Sequence, residues 1–337
     1  MLVSIRMLIT VGCLGLFGPI GFAQALEDLI ADYEAFNQAG DPEEIARAGG
    51  VDPRQWADVS PDFIETRASQ AAQMLETLGA IEAPTSTPEP AILQHLLTAH
   101  VSAHTYDTAR IPFVGDWGFF AVAPFTAMRT RANTRAKAEA WTARLNDLPR
   151  FFDDHIANMR RGIETEWTQH GDPLATSIAQ IKAQIVDDPT DSTLYLPYLS
   201  LESSDLSANE ISGLRANGKT AVETAIAAYA ELLTFMEDEY APAARPGAGI
   251  AGLEGGQAAY ANAVSFHTAG AGYSAEEIHQ LGQSEVARIR ADMESIIAEV
   301  EFDGSFDEFV NFLRTDPQFY AASAEELLEK ASEMSKR

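Results

Sequence analysis

The sequence predicts a mainly α fold, an array of long helices, and three observations carry that prediction. Helix starts are marked by a serine three residues before a glutamate at Ser207 with Glu210, Ser274 with Glu277, Ser305 with Glu308 and Ser323 with Glu326. This spacing lets a hydroxyl and a carboxylate reciprocally satisfy the unpaired backbone donors at a helix start. Apolar residues recur every three or four positions, most cleanly at Ile278, Leu281, Ile289, Met293, Ile296, Ile297 and Val300, the period of a helix with one buried face. No alternating strand pattern longer than a few residues is present.

The first segment reads as a targeting sequence. Arg6 supplies a short basic region, Met7 to Phe22 an apolar run, and Gly21-Phe22-Ala23 a small-x-small cleavage site before Gln24. We expect residues 1–23 to be a signal peptide and 24–337 to be the helical region of a periplasmic or secreted protein. Gly12, Gly15, Gly18 and Pro19 interrupt the run, which is shorter than the roughly 20 residues a membrane span needs, so no span is expected. Cys13, the only cysteine, lies inside it. A lipid anchor at Cys13 is the weaker expectation, because Thr10 replaces the usual aliphatic residue of such sites. Cleavage before Gln24 leaves no cysteine, which excludes disulfides, thiolate metal ligands and a cysteine nucleophile together.

The helices follow in order. Ser60-Pro61 opens one with a capping residue and a proline at the first helical position; Ile64, Ala68, Ala71, Leu75 and Leu78 mark its face, and Gly79 stops it. A proline-rich break from Ala83 to Pro90 precedes a second helix, Ala91 to Ala109. The apolar, turn-rich stretch Ile111 to Pro124 predicts a buried loop or short strand pair. Thr126 to Leu145 is the third helix, and Pro149 marks the turn into a fourth, Phe151 to Trp167. Ile178, Ile181 and Ile185 are in helical register, Asp187 to Ser203 is a punctuated loop, and the helix capped by Ser207 extends to Tyr240. The final helix opens at Ser323 and passes Leu327, Leu328 and Met334 with no Gly, Asn or Pro to close it, so we expect it to continue beyond Arg337.

With 46% apolar residues the chain can bury a core, and its 50 acidic against 23 basic residues, a formal charge of −27, exclude a nucleic-acid partner. The charge is read as solubility through self-repulsion.

Candidate chemistry is sparse. His95, His100 and His104 share a predicted helix, with Asp107 one turn further, a spacing open to metal ligation or to ordinary packing. Val101 stands where a zinc peptidase helix needs a glutamate base after the first histidine, which favours packing. His155 and His170 lie near Asp153, Asp154 and Asp172, and His279 sits one turn into a capped helix; both arrangements are accounted for by helix starts. There is no G-x-S-x-G elbow, and Asn217-Gly218-Lys219-Thr220 lacks the earlier glycine of a phosphate loop.

From Tyr240 onward a family pattern is followed in order: Tyr240-Ala241-Pro242, Gly252-Leu253, the Ser274 to His279 helix start, Leu281-Gly282, Glu285-Val286-Ala287-Arg288-Ile289 and Asp316-Pro317-Gln318-Phe319-Tyr320. In these residues the chain resembles the bacterial "domain of unknown function 885" family. Phe63 to Leu78, Leu145 to Pro149 and Met159 to Ile163 resemble its N-terminal half more loosely. The resemblance implies the N-terminal part of an α-rich, two-lobed, zincin-like hydrolase, often exported and often lipid-anchored, acting on short peptides. It also implies that the zinc helix, of the H-E-x-x-H type, lies C-terminal to this region. No His-Glu dipeptide occurs in the 337 residues. No cofactor is therefore expected in this chain, zinc only in a full-length relative, and a peptide substrate only once the second half is present. By the same resemblance Tyr260, His267 and Thr268 are the candidate substrate-cleft residues, although Ala259 and Ala269 depart from the family's aromatic and threonine at neighbouring positions. The alternative expectation is a naturally short, non-catalytic helical binding or scaffold protein.

Overall fold

The computed structural model describes residues 19–81, 87–114 and 117–336. Most of the predicted signal segment, with Cys13, lies outside them. The chain divides into two compact units, Met1–Ala269 and Gly270–Arg337, and the mainly α class holds for both.

In the N-terminal unit, α1 (Pro19–Gly40), α2 (Pro42–Ala48), α3 (Pro61–Gly79) and α4 (Glu89–Thr105) come first. The Ser60 hydroxyl accepts from the backbone N–H of Phe63, and Pro61 occupies the first turn of α3, as its missing donor permits. The inner faces of α1, α3 and α4 share a small core of Leu26, Leu29, Phe36, Ala71, Leu93 and Leu97. A two-residue hairpin follows, β1 (Phe113–Val114) antiparallel to β2 (Trp117–Gly118), so the strand-pair reading of the apolar stretch is the correct one. Phe113, Phe119 and Phe120 are buried there.

The main core forms around α5 (Val122–Arg129), α6 (Arg135–Asn146), α7 (Leu148–Glu164), α8 (Leu174–Lys182), α9 (Leu196–Leu199) and α10 (Ala208–Phe235). The 28-residue α10 starts at a complete capping box, with Glu210 accepting from the Ser207 backbone at 2.8 Å and the Ser207 hydroxyl accepting from the Glu210 N–H at 3.4 Å. It buries Leu214, Ala221, Val222, Ala225, Ala228, Tyr229 and Leu232 along one stripe. A π-type turn carries it through Tyr240, the predicted end. Gly218 is explained by packing: a Cβ there would lie 2.5 Å from Cζ of the Tyr198 ring, which is fully buried. The glycine of the Asn-Gly-Lys-Thr sequence thus lets α9 approach α10. The unit ends with α11 (Gly256–His267).

Several boundaries differ from the sequence reading: the predicted loop over residues 187–203 contains the short helix α9, the fourth helix ends at Glu164 rather than Trp167, and three further differences have an identifiable cause. The predicted third helix is two helices, α5 and α6, separated by residues 130–134. The break is made by tertiary structure: Thr130 is extended, the Ala132 N–H donates to the Pro197 carbonyl at 3.1 Å, and Thr134 caps α6 by accepting from the Lys137 N–H. The fourth helix begins at Leu148, taking Pro149 into its first turn, where proline costs nothing. The second helix stops at Thr105, because Asp107 takes a left-handed backbone (φ 46°) held by Arg110 and Arg161.

In the C-terminal unit, α12 (Ala275–Glu299), α13 (Phe306–Thr315) and α14 (Ala324–Lys336) follow one another. The boxes at Ser274 and Ser305 are complete. At Ser323 the hydroxyl accepts from the Glu326 N–H, but the Glu326 carboxylate bonds back to the N–H of Ala322, one residue earlier than predicted. Phe302, Phe309, Phe312 and Phe319 form an aromatic cluster with centroid distances of 5.0–5.3 Å between successive partners Phe302–Phe309, Phe302–Phe312 and Phe312–Phe319. The apolar stripe predicted on α12 is there, yet of it only Ile297 is buried; Leu281, Ile289, Met293, Ile296 and Val300 are exposed, as are Leu327, Leu328 and Met334 on α14.

Candidate functional site

Tyr260 and His267 belong to α11 and Thr268 is its C-terminal cap, and local sequence fixes where that helix begins. Gly255 has φ +71°, a conformation costly for residues with a Cβ, and a Cβ on Gly256 would lie 1.8 Å from the Ile250 carbonyl oxygen. The pair of glycines lets the chain turn sharply into the helix. Tyr260 and His267 are seven residues apart, two turns, so they lie on one helix face, and both are exposed. Thr268 closes the helix, its hydroxyl donating to the Val264 carbonyl at 2.8 Å.

This helix rests on α4 through residues the sequence reading did not single out. The Phe266 ring stacks on the His95 imidazole at 4.6 Å with 9° between the planes, and the Ser102 hydroxyl donates to the Asn262 side chain at 3.1 Å. Asn262 and Phe266 are four apart, a helical-face signal that was available. Their partners on α4 are more than 150 residues away in sequence, and nothing local announces such a pairing.

Two of the three α4 histidines turn to different partners, and His104 is exposed. His95 stacks on α11, whereas His100 meets the edge of Phe36 on α1 at 5.0 Å. Burial and the nearby Arg67 guanidinium lower the His100 pKa, which keeps it neutral. Asp107 is engaged by the Arg161 guanidinium, with Nε at 2.6 Å. His155 is buried among Phe119 and Phe151, His170 lies 3.6 Å from Asp172, and His279 pairs with Gln283 on α12. Among the described residues no three His, Cys, Asp or Glu side chains gather where they could hold a metal ion. No helix among them is long and apolar enough to cross a membrane.

The α11 face therefore offers a phenol and an imidazole to solvent. Such a face can accept and donate hydrogen bonds and stack on a ligand; it carries no nucleophile paired with a base.

The family described as "Bacterial protein of unknown function (DUF885)" matches residues 42–337. No curated protein matches the chain. Among solved structures, the one described as "The crystal structure of the putative lipoprotein from Colwellia psychrerythraea" has the same fold, with a TM-score of 0.74 at 17% sequence identity. That match covers 94% of this chain and 57% of the other, so the chain spans a little over half the length of that protein.

Proposed function

The chain belongs to the bacterial DUF885 family, and from that premise we propose that it forms the N-terminal, helical part of an exported zinc-dependent peptidase-like hydrolase, walling one side of a peptide cleft. The zinc-bearing half lies outside these 337 residues, and the chain alone is inactive. The observation that carries this reading is the α11 face, where Tyr260 and His267 stand exposed on one side of a helix docked to α4. Exposed aromatic and imidazole groups suit an extended peptide, which presents backbone donors and acceptors and alternating side chains.

The described residues do not form a zinc centre. His100 is turned to Phe36, and the residue after it is Val101, with no carboxylate to act as base. No step through zinc is assigned to this chain. Its contribution is to bind and orient, as the half-length match and the exposed apolar stripes of α12 and α14 also suggest.

The test is to read the coding DNA downstream of Arg337 and express the protein with its continuation. A continuing frame with a His-Glu helix, and peptide hydrolysis by the extended protein, is expected. In that protein Tyr260→Ala should raise KM about tenfold with little change in kcat, the signature of lost ground-state binding. A frame without a His-Glu helix, together with peptide binding and no hydrolysis, would favour the non-catalytic scaffold instead.

A further inference from the structure

The α5–α6 corner of the N-terminal unit holds a cavity of about 330 Å³, lined by Asp52, Arg129, Arg131, Lys137, Trp141 and Arg144 among others. Four cations to one carboxylate is the reverse of the chain as a whole, in which acids outnumber bases by more than two to one. The cations come from two adjoining elements. Lys137, Ala140, Trp141 and Arg144 follow the i, i+3, i+4, i+7 spacing of one face of α6, while Arg129 and Arg131 leave the end of α5. The tertiary break at residues 130–134, which splits the predicted third helix, brings these two groups together.

Two features distinguish the cavity from a patch of solvated charge. First, Arg129, Arg131 and Lys137 form no ion pair among the described residues, whereas Arg135, between them in sequence, is tied to Glu139 and Glu210. Arg129 lies over the Phe125 ring at 3.8 Å, while Arg131 and Lys137 are exposed at the cavity with no carboxylate paired to them. Second, Arg144 is a built-in donor. Its side chain is only 7% exposed, its guanidinium lies 3.8 Å over the Trp56 ring, and one Nη donates to Glu43 at 2.9 Å. Its Nε–H has no acceptor in the protein. The guanidinium is thus paired on one side only, and a buried N–H left without an acceptor costs free energy unless something else accepts from it. Trp141 and Ala140, both buried, add an apolar wall.

We propose that this cavity binds a small polyanion, one bearing two or more carboxylate or phosphate groups, and that it is a site separate from the α11 face. Guanidinium groups match the oxygens of either anion with paired N–H donors. The volume is at the lower end of small-molecule sites, which suits a ligand of that size. Asp52 at the cavity and Glu43, paired with Arg144, limit the excess positive charge, so a small anion rather than an anionic polymer is the fitting ligand.

Isothermal titration of the full chain with citrate and with pyrophosphate tests the proposal and separates the two chemistries. At least one should bind with Kd below about 1 mM at low salt and weaken severalfold as salt rises through physiological strength, since exposed charges on the rim are screened. The double variant R131Q/K137Q removes two exposed, unpaired cations and should leave the circular dichroism unchanged while weakening binding at least tenfold, about 1.4 kcal/mol. Citrate without pyrophosphate would assign a carboxylate ligand, and the converse a phosphate. Absence of binding by both at about 5 mM, or equal affinity in the double variant, would overturn it.

Discussion

Replacing Trp141 by alanine is expected to destabilise the N-terminal unit by about 3–5 kcal/mol, the usual cost of deleting a buried tryptophan. The side chain is 2% exposed and packs edge-on to Trp56 with centroids 6.3 Å apart. Its Nε1–H donates to the Leu194 carbonyl at 3.0 Å. Truncation opens a cavity that α6 and the turn before α9 cannot both fill, and it strips a buried carbonyl of its donor. Trp141→Phe keeps most of the volume and loses the hydrogen bond, so about 1–2 kcal/mol is expected. Against a total stability of about 5–15 kcal/mol for a folded domain, the alanine variant should shift the urea midpoint far to lower denaturant with an unchanged slope. A loss below about 1 kcal/mol would contradict the core described around α6 and α10.

The second large effect is a pH dependence. His155 is 8% exposed, its ring lies nearly parallel to Phe119 at 4.0 Å, and its Nδ1 has no hydrogen-bond partner. Burial, with a smaller contribution from the Arg150 guanidinium, pushes its pKa down to about 3. The folded state therefore keeps the imidazole neutral, while the unfolded chain takes up a proton below about pH 6.5. The associated stability is fully present above that pH and is lost as pH falls toward 3, at about 1.4 kcal/mol per unit. Asp154, whose carboxyl burial holds above its usual range, opposes this only in the acid part of the window. At pH 4.5 the chain should be about 2–3 kcal/mol less stable than at pH 7 on account of His155. His155→Phe, of similar size in an aromatic nest, should remove that part of the acid limb. The same loss in both proteins would place the acid sensitivity elsewhere.

The helix starts were legible because their chemistry is local. Ser60-Pro61, Ser207 with Glu210, Ser274 with Glu277 and Ser305 with Glu308 each announce a cap within four residues, and each cap is formed. The break inside the third predicted helix was not legible, since residues 130–134 contain neither Gly nor Pro and the break depends on a bond from Ala132 to Pro197. The apolar stripe of α12 was legible as a stripe. The sequence period says that such a face exists and is silent on what covers it, and most of the stripe is exposed. On α11, the two-turn spacing of Tyr260 and His267 was readable, whereas their placement beside α4 rests on the distant pairs His95–Phe266 and Ser102–Asn262. The cationic cavity was the least legible feature, being assembled from residues 52–53, 129–131 and one face of α6.

The central proposal is that zinc chemistry lies outside these 337 residues; among the described residues the histidines form no group that could hold a metal ion. Metal analysis of the purified protein after exhaustive dialysis tests it most directly. We expect less than about 0.1 zinc per chain, because a structural or catalytic site needs three or more converging protein ligands. About one tightly held zinc per chain would contradict the account, and His100 and His104 would be the first residues to replace.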